Sequence, residues 1–344
     1  MTKKKDAATV AAEREARNKR LAFKIAAIIQ PVMDERYKAD PTKTGKHFHT
    51  KTHAVVNARL EILDNPPEYQ VGIFAKPGVY PIKMRYSAAS SGKSSDTGPG
   101  VRGLSIRLHD EFEQPIGMAF TMQTMTTFPF GRPELVYEFL YWSNLTRFVV
   151  LNVILVLLVF LFKGNMWRLL ALKNARRYQK SLSVETFYSV TPYQFGDDES
   201  KACKYGLKPL AYREAAIAPE PRGRNYLTEE LDAMLSTPQP FRFEFCVQLQ
   251  TNKKKMPVQD TAVEWEEDPT KGGSSFVPVG IIHVEQQQVN LEEKLVWGDF
   301  SDFAVDEEKF PMHKPLGDVN RVRKYLYAEM HRYQMGKRFG TGNE

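Results

Sequence analysis

The chain has 344 residues, of which 42% are hydrophobic and 26% charged, and its mean hydropathy is −0.43. This composition can fill a sizeable core and excludes a chain that is disordered throughout. Two cysteines, Cys203 and Cys246, exclude a disulfide framework and a zinc cluster, and we expect a cytoplasmic protein. The net charge of +7 lies mainly in residues 3–24, where eight lysines and arginines stand against three acidic residues. A basic tail of this kind is weak support for DNA or RNA binding, so no nucleic-acid partner is expected.

Residues 1–44 are predicted to form a basic helical arm. Alanine, glutamate, arginine and lysine dominate its first thirty positions, which favours a helix. The apolar end of this helix carries Leu21, Phe23, Ile25, Ile28 and Ile29. Two interpretations are open: a solvated helix that packs on the following domain, or an arm that lies on a membrane surface.

Alternating apolar residues predict strands in much of the remaining chain. The predicted strands are residues 54–63, 80–86, 104–108, 187–195, 241–249, 277–284 and 287–289. A helix is predicted to begin near Leu227 with Thr228 as its cap, and the last helix is predicted over about Asp318 to Gln334. Together these elements predict one α+β domain with a mostly antiparallel sheet that is long enough to close as a barrel.

The segment Phe148–Phe162 is almost entirely apolar, with Asn152 as its single polar residue. As a helix it would be about 22 Å long, which is short for a full membrane span. It lacks the polar stripe that core helices keep, and the residues that follow combine Trp167 with several lysines and arginines as far as Lys180. We therefore predict that residues 142–180 form an insertion that attaches the protein to one leaflet of a membrane, peripherally or monotopically. A buried core helix and a true span are the alternatives.

Arg323 and Tyr327 lie four residues apart in the last predicted helix and therefore share one face. A guanidinium beside a phenol lowers the phenol's pKa, because the opposite charge favours phenolate. Phenolate is a hard anionic ligand that suits ferric iron, and tyrosine is a known haem ligand. Taken alone, the pair is equally compatible with an ordinary amphipathic helix.

Three segments in this order resemble the catalase superfamily of haem proteins. They are Thr52-His53-Ala54 at the head of a strand, then MRYS, SSDT and VRGLSIRL, and finally PLGDVNRVRKYLY near the end of the chain. The segments FCVQLQ, MPVQDTAVEW and VGIIHVEQQ resemble its small members, among them the allene oxide synthase domain of coral and bacterial catalase-like haem peroxidases. The resemblance implies an antiparallel catalase-like β-barrel with surrounding helices over residues 45–336. The apolar insertion interrupts this domain, and residues 337–344 form a tail.

The resemblance implies haem b as the cofactor and assigns residues to it. His53 matches the distal histidine, and Ser87 matches the serine that hydrogen-bonds its ring. Arg85 matches an arginine that pairs with a haem propionate. Tyr327 matches the iron ligand, and Arg323 matches the arginine that keeps this ligand ionised.

Further site residues follow from the same resemblance. Phe128 falls near a phenylalanine that packs on the porphyrin, and His331 is counted with the cofactor-binding residues. The distal asparagine of catalases falls at Gln123 or Thr124. Thr52 stands where catalases carry valine, and its hydroxyl is expected to bond the imidazole or a distal oxygen.

The function implied is haem-dependent cleavage of the O–O bond of hydroperoxides, with His53 taking up a proton and returning it to the leaving oxygen. The apolar insertion favours lipid or fatty-acid hydroperoxides taken from a membrane surface. Two propionate-binding arginines are missing, with Thr50 and Gln334 near their places. These departures leave open a small catalase or general haem peroxidase that acts on hydrogen peroxide, and a membrane-associated haem protein without turnover. A barrel without haem and a homo-oligomeric assembly are also left open.

Overall fold

The computed structural model describes residues 6–38, 40, 45–89, 95–210, 223–238, 241–289 and 292–339. Eight strands in this part of the chain form a closed antiparallel barrel in the order β5-β4-β3-β2-β1-β9-β8-β7, because β5 pairs with both β4 and β7. A ninth strand, β6, pairs with β7. The strands are β1 (Lys51–Ile62), β2 (Gly78–Ala88), β3 (Arg102–His109), β4 (Pro115–Gln123), β5 (Phe187–Tyr188), β6 (Tyr193–Gln194), β7 (Ala202–Pro209), β8 (Phe241–Leu249) and β9 (Val277–Val284).

The barrel core follows from the alternation of side chains along these strands. Every second residue of β1, from Ala54 to Ile62, belongs to one buried hydrophobic cluster. Aromatic rings fill the middle, where the ring centroid of Phe120 lies 4.8 Å from that of Tyr205 and 4.7 Å from that of Phe245. The predicted antiparallel barrel with surrounding helices is therefore confirmed.

Seven α-helices surround the barrel in the described residues. They are α1 (Ala7–Arg36), α2 (Pro133–Ser143), α3 (Val149–Phe162), α4 (Met166–Ala175), α5 (Tyr226–Ser236), α6 (Glu292–Phe300) and α7 (Gly317–Phe339). The predicted arm is α1, and its apolar stripe packs on α7, where Ile25 and Ile29 share a cluster with Leu326 and Met330. The interpretation of the arm as a helix packed on the domain is confirmed.

The apolar segment forms α3, which turns one narrow stripe inward. Asn152, Val156 and Phe160 are buried, whereas most of its other residues are exposed, up to 84% at Phe162. The alternative of a buried core helix is therefore wrong. No helix among the described residues has both the length and the apolar character needed to cross a membrane.

Three local predictions are wrong. The predicted strand 187–195 is split into β5 and β6, because Val190 adopts a left-handed φ of 44° between them. Residues 287–289 form no strand, and the side chain of Gln287 bonds the backbone of Asn57 instead. Thr228 does not cap α5, since the helix begins two residues earlier at Tyr226.

Candidate functional site

A cavity lies between the outer face of β2–β4 and helix α7. Tyr86 and Leu104 point into the barrel core, so their neighbours Arg85, Ser87 and Ser105 point outward and line the cavity. Helix α7 is fixed across this face partly by a hydrogen bond from Nη2 of Arg323 to the hydroxyl of Thr121, 2.7 Å long.

This cavity, of about 80 Å³, is joined to a larger one of about 420 Å³. Many of the residues that line the smaller cavity are polar. The larger cavity is lined mostly by apolar residues, some of which belong to α2 and α4. The two share the lining residues His47, Phe48, His49, Gln123, Val190, Arg323 and Tyr327. A volume of this size is in the range of small-molecule and cofactor sites.

Tyr327, which the sequence analysis predicted to be the iron ligand, lines both cavities. The guanidinium carbon of Arg323 lies 5.2 Å from the centre of the Tyr327 ring, so the predicted pairing on one helix face is present. Burial alone would lower the pKa of Arg323, but attraction to Tyr327 and Tyr193 raises it above its ordinary value. Arg323 is therefore a permanent cation beside the phenol.

His49 is one of three histidines that line the smaller cavity, together with His47 and His331. It has a left-handed φ of 51°, which turns the chain sharply before β1. Its ring passes directly over Gly103, where an added Cβ would lie only 2.4 Å from the Nδ1 atom. Glycine at the start of β3 is therefore required for the ring to take this place.

Ser87 fixes the orientation of the His49 ring. The Ser87 hydroxyl lies 3.4 Å from Nδ1 of His49 and 3.3 Å from the carbonyl oxygen of Gly103. Because the serine has one proton and the carbonyl can only accept, we infer that Ser87 donates to Gly103 and accepts from Nδ1–H of His49. This tautomer leaves Nε2 of His49 as an unprotonated acceptor.

The prediction that Ser87 contacts His53 is wrong. Thr52 pairs with Ser87 across β1 and β2, and Ala54 pairs with Tyr86, so His53 is the extra residue of a bulge. Its ring is fully buried away from both cavities, with Nδ1 3.2 Å from the hydroxyl of Thr228 in α5. His53 therefore lies outside the site in which the sequence placed it.

A second correction concerns Thr52. Its hydroxyl donates to Asp299 at 2.6 Å and accepts from Arg85 at 2.8 Å, so it bonds neither histidine ring. Arg85 also donates to the carbonyl oxygen of His49 at 2.8 Å and holds the turn before β1 in place. Arg85, predicted to pair with a haem propionate, lines the smaller cavity, and its Nε atom is buried without a hydrogen-bond partner among the described residues.

The remaining predicted residues divide between the cavity and the surrounding structure. Gln123 lines both cavities, and Phe128 lines the larger one. His331, one turn after Tyr327, lines the smaller one. Thr124 does not line either cavity, because its hydroxyl accepts a hydrogen bond from the backbone N–H of Arg102.

Residues 46–49, which sequence reasoning missed, add one lysine and two histidines to the cavity wall, where other cations, Arg85 and Arg323, also lie. Burial and the charge of Arg85 lower the pKa of Lys46 to about 8. Burial together with Lys46 and Arg85 lowers the pKa of His47 to about 3, and burial together with Arg85 and Arg323 does the same for His49. Such surroundings disfavour additional positive charge and favour an anionic ligand.

The residues present fit a haem. Three buried atoms at the cavity walls have no hydrogen-bond partner among the described residues: Arg36 Nη1, His47 Nε2 and His331 Nδ1. Arg36 lines the larger cavity, His331 lines the smaller one, and His47 lines both. Orphaned buried polar atoms at a cavity wall point to a polar ligand. A flat apolar group with carboxylates at one edge would meet the apolar walls of the larger cavity and the cations Lys46 and Arg85 of the smaller one.

No protein-family model and no curated protein matches the chain. Among solved structures it is similar to a fungal catalase, with a TM-score of 0.65 and 16% identity over 85% of this chain and 59% of that one. A bacterial catalase gives a TM-score of 0.63 and 17% identity over 84% and 57% of the two chains. Catalase A from Saccharomyces cerevisiae gives 0.65 and 15% over 84% and 61%.

The chain thus spans between 57% and 61% of the length of these catalases. Identities from 15% to 17% establish a shared architecture and leave the chemistry to be argued from the site. In that sense the comparison agrees with the topology: the chain has the catalase fold, an eight-stranded antiparallel barrel with helices packed around it.

Proposed function

We propose that this protein binds haem b and cleaves the O–O bond of hydroperoxides. The observation that carries the proposal is the pair of residues at one cavity: Tyr327, backed by Arg323 on α7, and His49, oriented by Ser87 before β1. One is a candidate iron ligand and the other a candidate proton acceptor. The catalase fold supports the same chemistry by analogy.

Tyr327 would hold the iron through its phenolate oxygen, with the guanidinium of Arg323 as the neighbouring cation. Lys46 and Arg85 would bind the propionates, and Phe128 would pack on the porphyrin. When bound, haem would supply the redox chemistry that breaks the O–O bond, which no side chain of the site provides.

His49 would perform the proton transfer in this reaction. Its Nε2 atom is the unprotonated acceptor left by the bond to Ser87, and the ring is neutral because its pKa lies at about 3. His49 would accept the proton of the hydroperoxide O–H and return it to the oxygen that leaves, which is general acid–base catalysis. Gln123 would orient the substrate from the end of β4.

The substrate class we propose is a lipid or fatty-acid hydroperoxide. The larger cavity is mostly apolar and extends to Val136, Phe139 and Leu140 of α2, so its walls suit a hydrocarbon chain. Most of the polar residues at the two cavities line the smaller one, together with His49 and Tyr327. Because the porphyrin would also use apolar walls of this cavity, the cavity alone does not choose between the substrates, and the exposed apolar surface of α3 is what favours a lipid hydroperoxide.

The absorption spectrum of haem bound to the protein tests the first part of the proposal. Wild-type protein supplied with haem should show a Soret band of a tyrosinate-ligated ferric haem. Tyr327→Phe should lose or shift this band. The matched control is Tyr325→Phe, because Tyr325 lies on the same helix but bonds Glu15 instead. Equal spectra for the two variants would contradict the assignment of Tyr327.

Turnover of two peroxides tests the substrate. The purified haem protein should consume a fatty-acid hydroperoxide with a higher kcat/KM than hydrogen peroxide. Faster dismutation of hydrogen peroxide would favour the small catalase. A haem spectrum that responds to neither peroxide would favour a binding protein without turnover.

A further inference from the structure

Helices α3 and α4 carry an exposed apolar surface outside the candidate site. On α3, more than two-fifths of each of the following side chains is exposed: Val149, Val150, Ile154, Leu158, Leu161 and Phe162. Trp167 and Leu170 continue this surface on α4. Contiguous apolar surface on this scale marks an interaction site, because isolated exposed residues would need no explanation.

The packing of α3 against the domain leaves its apolar surface exposed. Asn152 is turned inward, where its side-chain amide donates to the carbonyl oxygens of Ser143 and Thr146. Val156 and Phe160 pack behind it in a cluster with Phe130. The only polar residue of the helix is thus used to fix the turn between α2 and α3, and the solvent side is left without one.

The charges around this surface select its partner. The segment 145–180 contains seven lysines and arginines and no acidic residue. Arg147, Lys173 and Lys180 are exposed beside the apolar helices. A second copy of the chain docked through the same face would bring two basic rims together, since a two-fold interface is self-complementary. An anionic lipid surface meets both the apolar centre and the basic rim.

We propose that α3 and α4 dock the protein onto one leaflet of an anionic bilayer. The 14 residues of α3 span about 21 Å, and their exposed side chains would enter the lipid while the cations meet the headgroups. Trp167 and Tyr178, both largely exposed, would lie at the interface that such aromatic rings prefer.

This surface shares helices with the candidate site. Leu172 of α4 lines the larger cavity, together with residues of α2 that pack against α3. A bound bilayer would therefore lie next to the cavity wall, and a lipid hydroperoxide would need to move only from the leaflet past α2 and α4. This delivery step rests on the proposed function, whereas the docking itself does not.

Vesicle flotation tests the docking. The full chain is mixed with vesicles of phosphatidylcholine alone and with vesicles in which part of it is replaced by phosphatidylserine. Wild-type protein should float with the mixed vesicles. The double variant Ile154→Glu/Leu158→Glu should bind at least about tenfold less, because two carboxylates would have to enter the apolar layer. The double variant Lys173→Glu/Lys180→Glu should lose the preference for phosphatidylserine.

The matched control is Phe112→Glu, which replaces an exposed apolar residue in the β3–β4 turn, 74% exposed, and should float like wild type. Circular dichroism confirms that each variant is folded. Wild-type protein that stays unbound with both kinds of vesicle would overturn the proposal. So would an α3-dependent dimer in sedimentation that does not bind vesicles.

Activity separates this inference from the proposed function. With hydroperoxide presented in vesicles, the Ile154→Glu/Leu158→Glu variant should turn over at least about tenfold more slowly, following its binding. With a short-chain hydroperoxide in solution, it should match wild type. Normal vesicle binding without any peroxide turnover would instead overturn the proposed function and leave the docking intact.

Discussion

His49 and His53 lie four residues apart and both are deeply enclosed by protein, yet only one belongs to the candidate site. Burial lowers the pKa of both rings, to about 3 at His49 and well below the ordinary value at His53. They differ in their surroundings: His49 lines both cavities, whereas His53 lies between Thr228 and Asp96. The comparison teaches that a shifted pKa alone does not distinguish the two histidines, whereas their position does, because only His49 of the two lines a cavity.

The surroundings of His53 should matter for stability and not for chemistry. Asp96 is 1% exposed and pairs with Lys51 at 2.7 Å. Asp96→Ala would remove the carboxylate that lies closest to the buried ammonium of Lys51, so we expect the free energy of unfolding to fall by about 3–5 kcal/mol. Urea denaturation measures this loss, and the exposed Asp197→Ala serves as control. A stable Asp96→Ala protein that has lost peroxide turnover would contradict this expectation, because it would place the chemistry near His53 and not at His49.

A third histidine, His313, lines neither cavity and has hydrogen-bond partners at both ring nitrogens, so it can be compared with His49 and His53 as a structural residue. Its Nε2 atom accepts from the backbone N–H of Ile73 at 3.2 Å, and its Nδ1 atom lies 3.0 Å from the hydroxyl of Tyr205. Burial lowers its pKa from 6.5 to about 4. Between these two values the unfolded chain binds more protons than the folded one, so stability is lost as the pH falls.

The expected loss from His313 between pH 7 and pH 5 is about 2 kcal/mol. His313→Gln should be less stable than wild type at pH 7 but should lose less on acidification. Urea denaturation of both proteins at the two pH values measures the difference. Equal pH dependence in the two proteins would show that His313 is not held neutral by the fold.

Ser87→Ala should have the smallest effect. It removes the acceptor of the His49 Nδ1–H, so we expect the free energy of unfolding to fall by about 1 kcal/mol and kcat by about fivefold. Stopped-flow kinetics per bound haem measures the rate. Ser105→Ala, which removes another hydroxyl from the same outer strand face, should leave the rate near that of wild type. A larger effect at Ser105 would refute the orientation assigned to His49.

The sequence predicted the barrel and the pairing of Arg323 with Tyr327 correctly, because both depend on local patterns. The alternation of apolar residues identified β2, β3, β8 and β9. Arg323 and Tyr327 are four residues apart, and residues with this spacing lie on the same face of any α-helix. These two residues share one helix face at the cavity. Short strands and connections were harder, as the split of residues 187–195 at Val190 shows.

The histidine beside Ser87 was predicted wrongly for a geometric reason. Which histidine meets Ser87 depends on the bulge in β1 and on the left-handed turn at His49, and neither has a signature in a single sequence. Lys46, His49 and Gly103 are present in the sequence, but nothing in it shows that the first two line a cavity. The requirement for glycine at position 103 follows only from the position of the His49 ring. The motif match placed the histidine beside Ser87 at position 53, whereas the structure places it four residues earlier, at His49.

The most direct test of the account is peroxide turnover, per bound haem, of His49→Asn against His53→Asn. We predict that His49→Asn lowers kcat/KM for a hydroperoxide by about 10²–10⁴-fold, the range of a lost general acid–base group. His53→Asn should remain within about threefold of wild type once protein stability is taken into account. The reverse result, with turnover lost at His53 and kept at His49, would contradict the account.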